Sequence, residues 1–141
     1  MYELKVTTRF AAAHRLTMVG AKCENLHGHN WKLDVVLAAD KLDRMGMVAD
    51  FRVVKSMLAQ VTDRLDHKYL NDLPEFAREN PTTENVARFV CRELAKLLPV
   101  GLRVARVTAW ESDGCGATYF SEEEIRASQP AQRAQKKTGR R

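Results

Sequence analysis

The sequence predicts an α+β domain in the order β-β-α-α-β-β, an antiparallel four-stranded sheet with both helices on one face. Three observations carry this. Two early stretches, 2–10 and 30–39, alternate in polarity with the period of a half-buried strand. From residue 51 the apolar spacing becomes helical and recurs in two blocks. Residues 102–121 then return to β-rich sequence. Two hairpins around a helix pair bury most simply as one sheet with the helices on one side. The other side of so small a sheet stays uncovered unless subunits associate.

Taken in order, Tyr2, Leu4, Val6, Thr8 and Phe10 fall on one face of the first strand, and Glu3, Lys5, Thr7 and Arg9 on the other. Residues 14–29 hold Gly20, Asn25 and Gly28 without a period and read as a loop. In the second strand Leu33, Val35 and Leu37 point one way, Lys32 and Asp34 the other. Phe51, Val54, Leu58, Val61 and Leu65 step by three and four, one stripe of a helix, with Asp50 placed to cap it. A polar connection over 66–81 contains Pro74 and Pro81. The second helix starts near Thr82, with Glu84 in the first turn where the helix dipole favours an acid. Val86, Val90, Leu94 and Leu97 mark its buried side, and Pro99 and Gly101 end it. The last two strands are expected at 102–111 and 117–121. The alternation slips between Val104 and Val107, which suits a bulge.

At 141 residues the chain fits one domain, residues 1–127, followed by a tail. The net charge of +5 is local. Residues 128–141 carry Arg133, Lys136, Lys137, Arg140 and Arg141 with no acid, so the rest sums to zero. The body lacks the global basic field that drives nucleic-acid binding. The tail is polar, without large apolar residues, and reads as disordered; contact with an anion or RNA is its sharper alternative. Three cysteines, Cys23, Cys91 and Cys115, form no disulfide framework, which favours a reducing, cytoplasmic setting. There is no signal-peptide pattern and no apolar run of membrane-spanning length.

The four histidines carry the functional signal. His27 and His29 stand as His-Gly-His at the mouth of the second strand, where residues i and i+2 face the same side. Gly28 leaves the backbone room between them. His14, just past the first strand, can bring a third nitrogen. Three histidines with no obvious fourth protein ligand suit a catalytic zinc with an open position. Alone, His-x-His equally fits two polar loop histidines. Cys23, four residues before His27, fits a fourth zinc ligand that closes a structural site, a base or nucleophile whose thiolate Lys22 and a metal would favour, or a small buried hydrophobe. Cys91, inside a helix, fits the last. Asp66-His67 can be a carboxylate orienting a proton-transfer imidazole, or a polar pair at a helix end. Glu111 ends its strand on the face of Val107 and Ala109. It is either exposed there or buried for a ligand's N–H donors.

The stretches FAAAHRL, KCENLHGHNWKLDVVL, GMVADF, LDHKYLN, PTTENVA and VTAWES, in this order over residues 2–121, resemble the 6-pyruvoyl-tetrahydropterin synthase family. The short Cys-x-x-x-His-Gly-His spacing is most similar to its queuosine branch, the 6-carboxy-5,6,7,8-tetrahydropterin synthases. The resemblance implies Zn2+ on His14, His27 and His29, and a Cys23, Asp66 and His67 proton-transfer set whose last two members come from a neighbouring subunit. It further implies a pterin held by Glu111, with Thr82, Thr83 and Glu84 as a second contact region. The implied fold is the tunnelling fold, whose sheets join into a barrel across subunits of a homo-oligomer. The implied reaction is conversion of 7,8-dihydroneopterin triphosphate to 6-carboxytetrahydropterin, acetaldehyde and triphosphate. Lys22 and Arg15 are candidates for the triphosphate. The rivals are 6-pyruvoyl-tetrahydropterin synthesis on the same fold and a non-catalytic structural-zinc module. The chain departs from the family in the SDGCGATY run after Glu111 and in its basic tail.

Overall fold

Alternation at the N-terminus becomes pairing in the computed structural model, which describes residues 1–18 and 25–129. Strand β1 (Tyr2–His14) lies antiparallel to β2 (His27–Ala39) from Tyr2↔Ala39 to His14↔His27. Both strands run further toward the loop than alternation indicates. Ala11–Ala13 and His-Gly-His give the hydrophobic period nothing to read, and only pairing reveals them as strand. Helix α1 (Phe51–Thr62) begins at Asp50, whose carboxylate accepts from Arg52 N at 2.8 Å. A two-residue strand β3 (Lys68–Tyr69) follows, then two 3-10 turns, Leu70–Asp72 and Pro74–Phe76. Helix α2 (Thr83–Ala95) is capped by Thr82. Gly101, at φ +91°, makes the turn into β4 (Arg103–Ser112). Strand β5 (Cys115–Phe120) and helix α3 (Glu122–Ser128) complete the described chain.

The sheet order is β3-β1-β2-β4-β5. Strand β3 is an addition to the four expected. It pairs parallel with β1 through Ala12↔Lys68 and Ala13↔Tyr69, too short for any sequence period to announce. The expected bulge exists. The β2–β4 register shifts between Val36 and Leu37, opposite Val104 and Arg106. Ala105 is thereby the extra residue, buried with Val36 and Ala38, while Val104 and Val107 both join the main core.

That core is one layer between sheet and helices. Leu4, Val6, Phe10, Trp31, Leu33, Val35 and Leu37 pack against Val54, Leu58 and Val61 of α1 and Val86, Val90 and Leu94 of α2. Each fully buried large apolar side chain is worth roughly 1.5–3 kcal/mol. Two expected core members are outside it: Phe51 is 54% exposed and Leu97 38%. Both sit at helix termini, where the apolar stripe has run past the sheet. The opposite face of the sheet is mainly polar, apart from the small apolar cluster of Val36, Ala38 and Ala105. It carries Thr7 Oγ1 donating to Asp34 at 2.7 Å, Trp110 Nε1 donating to Asp34 at 3.0 Å, and Arg106 paired with Glu3.

Candidate metal centre

The last rung of the β1–β2 pairing places His14 beside His27, and two rungs before it Ala12 stands beside His29. All three histidines therefore point to the helix-covered side. One ring nitrogen from each lies within 4.8 Å of the other two. Trp31, two rungs inward from His29 on the same face, is the floor. Its ring lies 5.1 Å from that of His14 and 5.6 Å from that of His29, edge-on, and stacks on Phe10. Trp31 Nε1 is satisfied by Ala12 O at 3.2 Å, so this large residue is fully buried without an orphaned donor.

Backbone carbonyls fix two of the ring tautomers. His14 Nδ1 lies 2.8 Å from Pro81 O, and His27 Nδ1 lies 2.8 Å from Asn25 O. A carbonyl only accepts, so each Nδ1 carries a proton, and in the neutral ring each Nε2 keeps its lone pair. Those two Nε2 atoms face each other at 3.0 Å. Two lone pairs at that distance repel unless a cation lies between them. A ligand histidine held through its other nitrogen is the usual arrangement at zinc. The donor set thus fits a metal such as zinc.

Glu111 lies at the open side, with Oε1 3.4 Å from His14 Nε2 and a side chain 28% exposed. It is neither a free strand end nor a buried acid; it looks onto the histidines and toward solvent. The chain's own steric needs do not demand Gly28, where an added Cβ meets only Ala12 O at 3.9 Å, an ordinary contact.

Asp66 and His67 are brought to β1 by β3. Asp66 Oδ1 accepts from Ala11 N at 2.9 Å and lies 3.0 Å from His67 Nδ1, and His67 N donates to Ala11 O at 2.6 Å. The Ala11 N–H and then His67 hold the Asp66 carboxyl below the ordinary aspartate range. His67 has φ +55°, the one non-glycine residue at positive φ among the described residues, and its side chain is 82% exposed. His67, Gly28, His29 and Tyr69 line one open groove of about 500 Å³.

The other expected residues divide. Thr82 spends its hydroxyl on the helix cap, accepting from Asn85 N at 3.1 Å. Thr83 and Glu84 follow in the first turn, Glu84 exposed. Burial pushes the Cys91 thiol up to about 11, as suits an inert packed cysteine. Cys115 is exposed. Cys23 and Lys22 lie outside the described residues, as does the basic tail from residue 130. Sequence reading missed the carbonyls of Pro81 and Asn25. Main-chain acceptors leave no trace in residue type, although a proline 67 residues from the first histidine is a visible turn signal.

The sequence model described as 6-pyruvoyl tetrahydropterin synthase matches residues 3–122. A Synechocystis protein named 6-carboxy-5,6,7,8-tetrahydropterin synthase is 38% identical over 117 residues, covering 79% of this chain and 88% of that one. A Pyrococcus furiosus protein named dihydroneopterin monophosphate aldolase is 35% identical over 107 residues, covering 76% and 87%. The solved structure of Caenorhabditis elegans 6-pyruvoyl tetrahydropterin synthase superposes with a TM-score of 0.74 at 28% identity, covering 86% of this chain and 96% of that one.

Proposed function

The chain belongs to the 6-pyruvoyl tetrahydropterin synthase family, and from that premise we propose that it converts 7,8-dihydroneopterin triphosphate to 6-carboxy-5,6,7,8-tetrahydropterin, acetaldehyde and triphosphate, a step toward queuosine. The observation that carries the reading is the facing pair of Nε2 lone pairs on His14 and His27, joined by His29. These three would hold Zn2+. When bound, the ion supplies Lewis acidity toward oxygen ligands, making neighbouring C–H and O–H groups more acidic.

The chain's own groups do the rest. Cys23 moves a proton as base, a role that rests on its motif. Asp66 holds His67 through Nδ1, which leaves the other ring nitrogen turned outward to give or relay a proton. Glu111 accepts the adjacent N–H donors of the pterin edge and so aims the side chain of the substrate at the histidines, a positioning role. Thr83 and Glu84 add a second contact, Thr82 chiefly shaping the helix start. Lys22 and Arg15, by their place in the sequence, are the candidates for binding the triphosphate. The outward display of His67 supports a homo-oligomer whose sheets close a barrel and whose sites lie at subunit interfaces. No helix among the described residues is long and apolar enough to cross a membrane, and we place the reaction in the cytoplasm.

The test is product analysis of the zinc-loaded protein given dihydroneopterin triphosphate. Acetaldehyde and the 6-carboxy product are expected in equal amounts. A pyruvoyl product without acetaldehyde, or turnover confined to the monophosphate, would assign the site to another activity of the same fold. A site without any turnover and with Cys23 on the metal would make it a structural-zinc module.

A further inference from the structure

Strand pairing stops at His14. The next residues nevertheless keep the contacts a neighbouring strand would give, because two asparagine side chains supply them. Arg15 N donates to Asn71 Oδ1 at 2.9 Å, and Arg15 O accepts from Asn71 Nδ2 at 2.7 Å. Two residues on, Thr17 N donates to Asn80 Oδ1 at 2.8 Å, and Thr17 O accepts from Asn80 Nδ2 at 2.8 Å. Each carboxamide thus takes both polar groups of one backbone residue, at the alternate spacing of a strand edge.

The second asparagine is itself tied down. Asn80 O accepts from Thr82 N at 2.8 Å and from Asn85 Nδ2 at 2.8 Å. The next residue is Pro81, whose carbonyl takes the His14 Nδ1 proton. One short turn therefore grips both the ring of His14 and the chain that follows it. Asn71 belongs to the first 3-10 turn after β3, a separate element, so the grip is two-handed.

We infer that Asn71 and Asn80 are positioning residues for His14, a carboxamide clamp that sets the direction of its Nε2 and hence the affinity of the metal site. The inference rests on the zinc reading above. A carboxamide is required because it offers one donor and one acceptor in a single plane. Aspartate has nearly the same shape but sets an oxygen against a backbone carbonyl, keeping half the clamp and opposing the other half. Partners that orient ligands in this way typically account for 10–100-fold in metal affinity.

The test compares wild type, Asn71→Asp, Asn80→Asp and Val104→Ala. The last loosens the core at the far end of β4 and controls for lost stability. Zinc affinity is measured by chelator competition, and ligand geometry by the visible absorption of the Co(II)-loaded protein. Both asparagine variants should bind zinc about 10–100-fold more weakly with an altered cobalt spectrum, while Val104→Ala lowers Tm and changes neither. If Asn80→Asp does not fold, Asn71→Asp decides, since it leaves Pro81 and the helix cap untouched. Wild-type affinity and spectrum in the asparagine variants, or an equal loss in Val104→Ala, overturn the clamp alone. A wild type that binds no zinc overturns both the clamp and the zinc reading.

Discussion

The histidine cluster and the Asp66–His67 pair flank the same end of β1 and are held in opposite ways. The cluster stands on alternate rungs of a central antiparallel pair, over a buried tryptophan, with His14 almost wholly enclosed. The pair rides on a two-residue edge strand, and its histidine projects into solvent from a left-handed backbone. Such a conformation costs a non-glycine residue on the order of 1–3 kcal/mol. Here the His67 N–H donating to Ala11 O, and the Asp66 carboxylate accepting from Ala11 N, hold it. Groups that share one ion need mutual precision, which paired central strands supply. A group that trades a proton with something arriving from outside must be reachable, and the sheet edge supplies that. On the proposed function, the first region is complete in a single chain and the second is completed by another surface.

The sharpest way to break this comparison is at the cluster. His27→Ala removes a ligand from a three-ligand set, so most bound zinc and all turnover should be lost, read by metal analysis and product formation. Full zinc occupancy in that variant would end the metal reading.

The next effect falls on the other region. His67→Ala and Cys23→Ala should each keep zinc and lose turnover on the scale of general acid–base catalysis, ~10²–10⁴-fold. Mixing the two inactive variants should restore part of the activity, because a site shared between subunits can then be assembled from intact halves. No recovery after proven subunit exchange would make the pair a local feature of one chain.

Glu111→Gln tests the open side of the cluster. It keeps the shape but turns one acceptor into a donor facing another donor. Pterin affinity should fall by about 100-fold, roughly 2.8 kcal/mol, with zinc content unchanged; Glu111→Asp should lose less. Wild-type affinity in Glu111→Gln would send the search for the anchor to Glu84.

The smallest effect concerns pH. The Asp66 carboxyl is held below its ordinary value, so its contribution is fully present above about pH 3.9, the unfolded aspartate value, and fades as pH falls through its lower folded value. An NMR titration should give Asp66 a midpoint below 3.9, with the Ala11 amide shift following the same curve. A midpoint at or above that value would mean that the edge pairing is weaker than the geometry implies.

Much of this molecule was legible in its residues. The strand faces, the Asp50 and Thr82 helix starts and the bulge between Val104 and Val107 follow from periodicity and side-chain chemistry, which are local. His27 and His29 are on one face because a strand has period two, whatever it pairs with. That Glu111 shares the face of Ala109 is equally local.

A repeat, or a residue's own chemistry, accounts for two amphipathic strands, two amphipathic helices, and a short list of groups able to bind a metal or move a proton. Which of these groups meet was set by the fold. Register at the end of β1 and β2 put His14 against His27. A two-residue strand with no readable period put Asp66 and His67 against Ala11. Across more than fifty residues, the carbonyl of Pro81 reached back to the first histidine, and the carboxamides of Asn71 and Asn80 to Arg15 and Thr17 just after it. Each of these bonds has a main-chain group at one end, which every residue possesses, so the side-chain pattern does not name the partner. They exist because packing the two helices on one face brings the 70–82 connection to the end of the sheet.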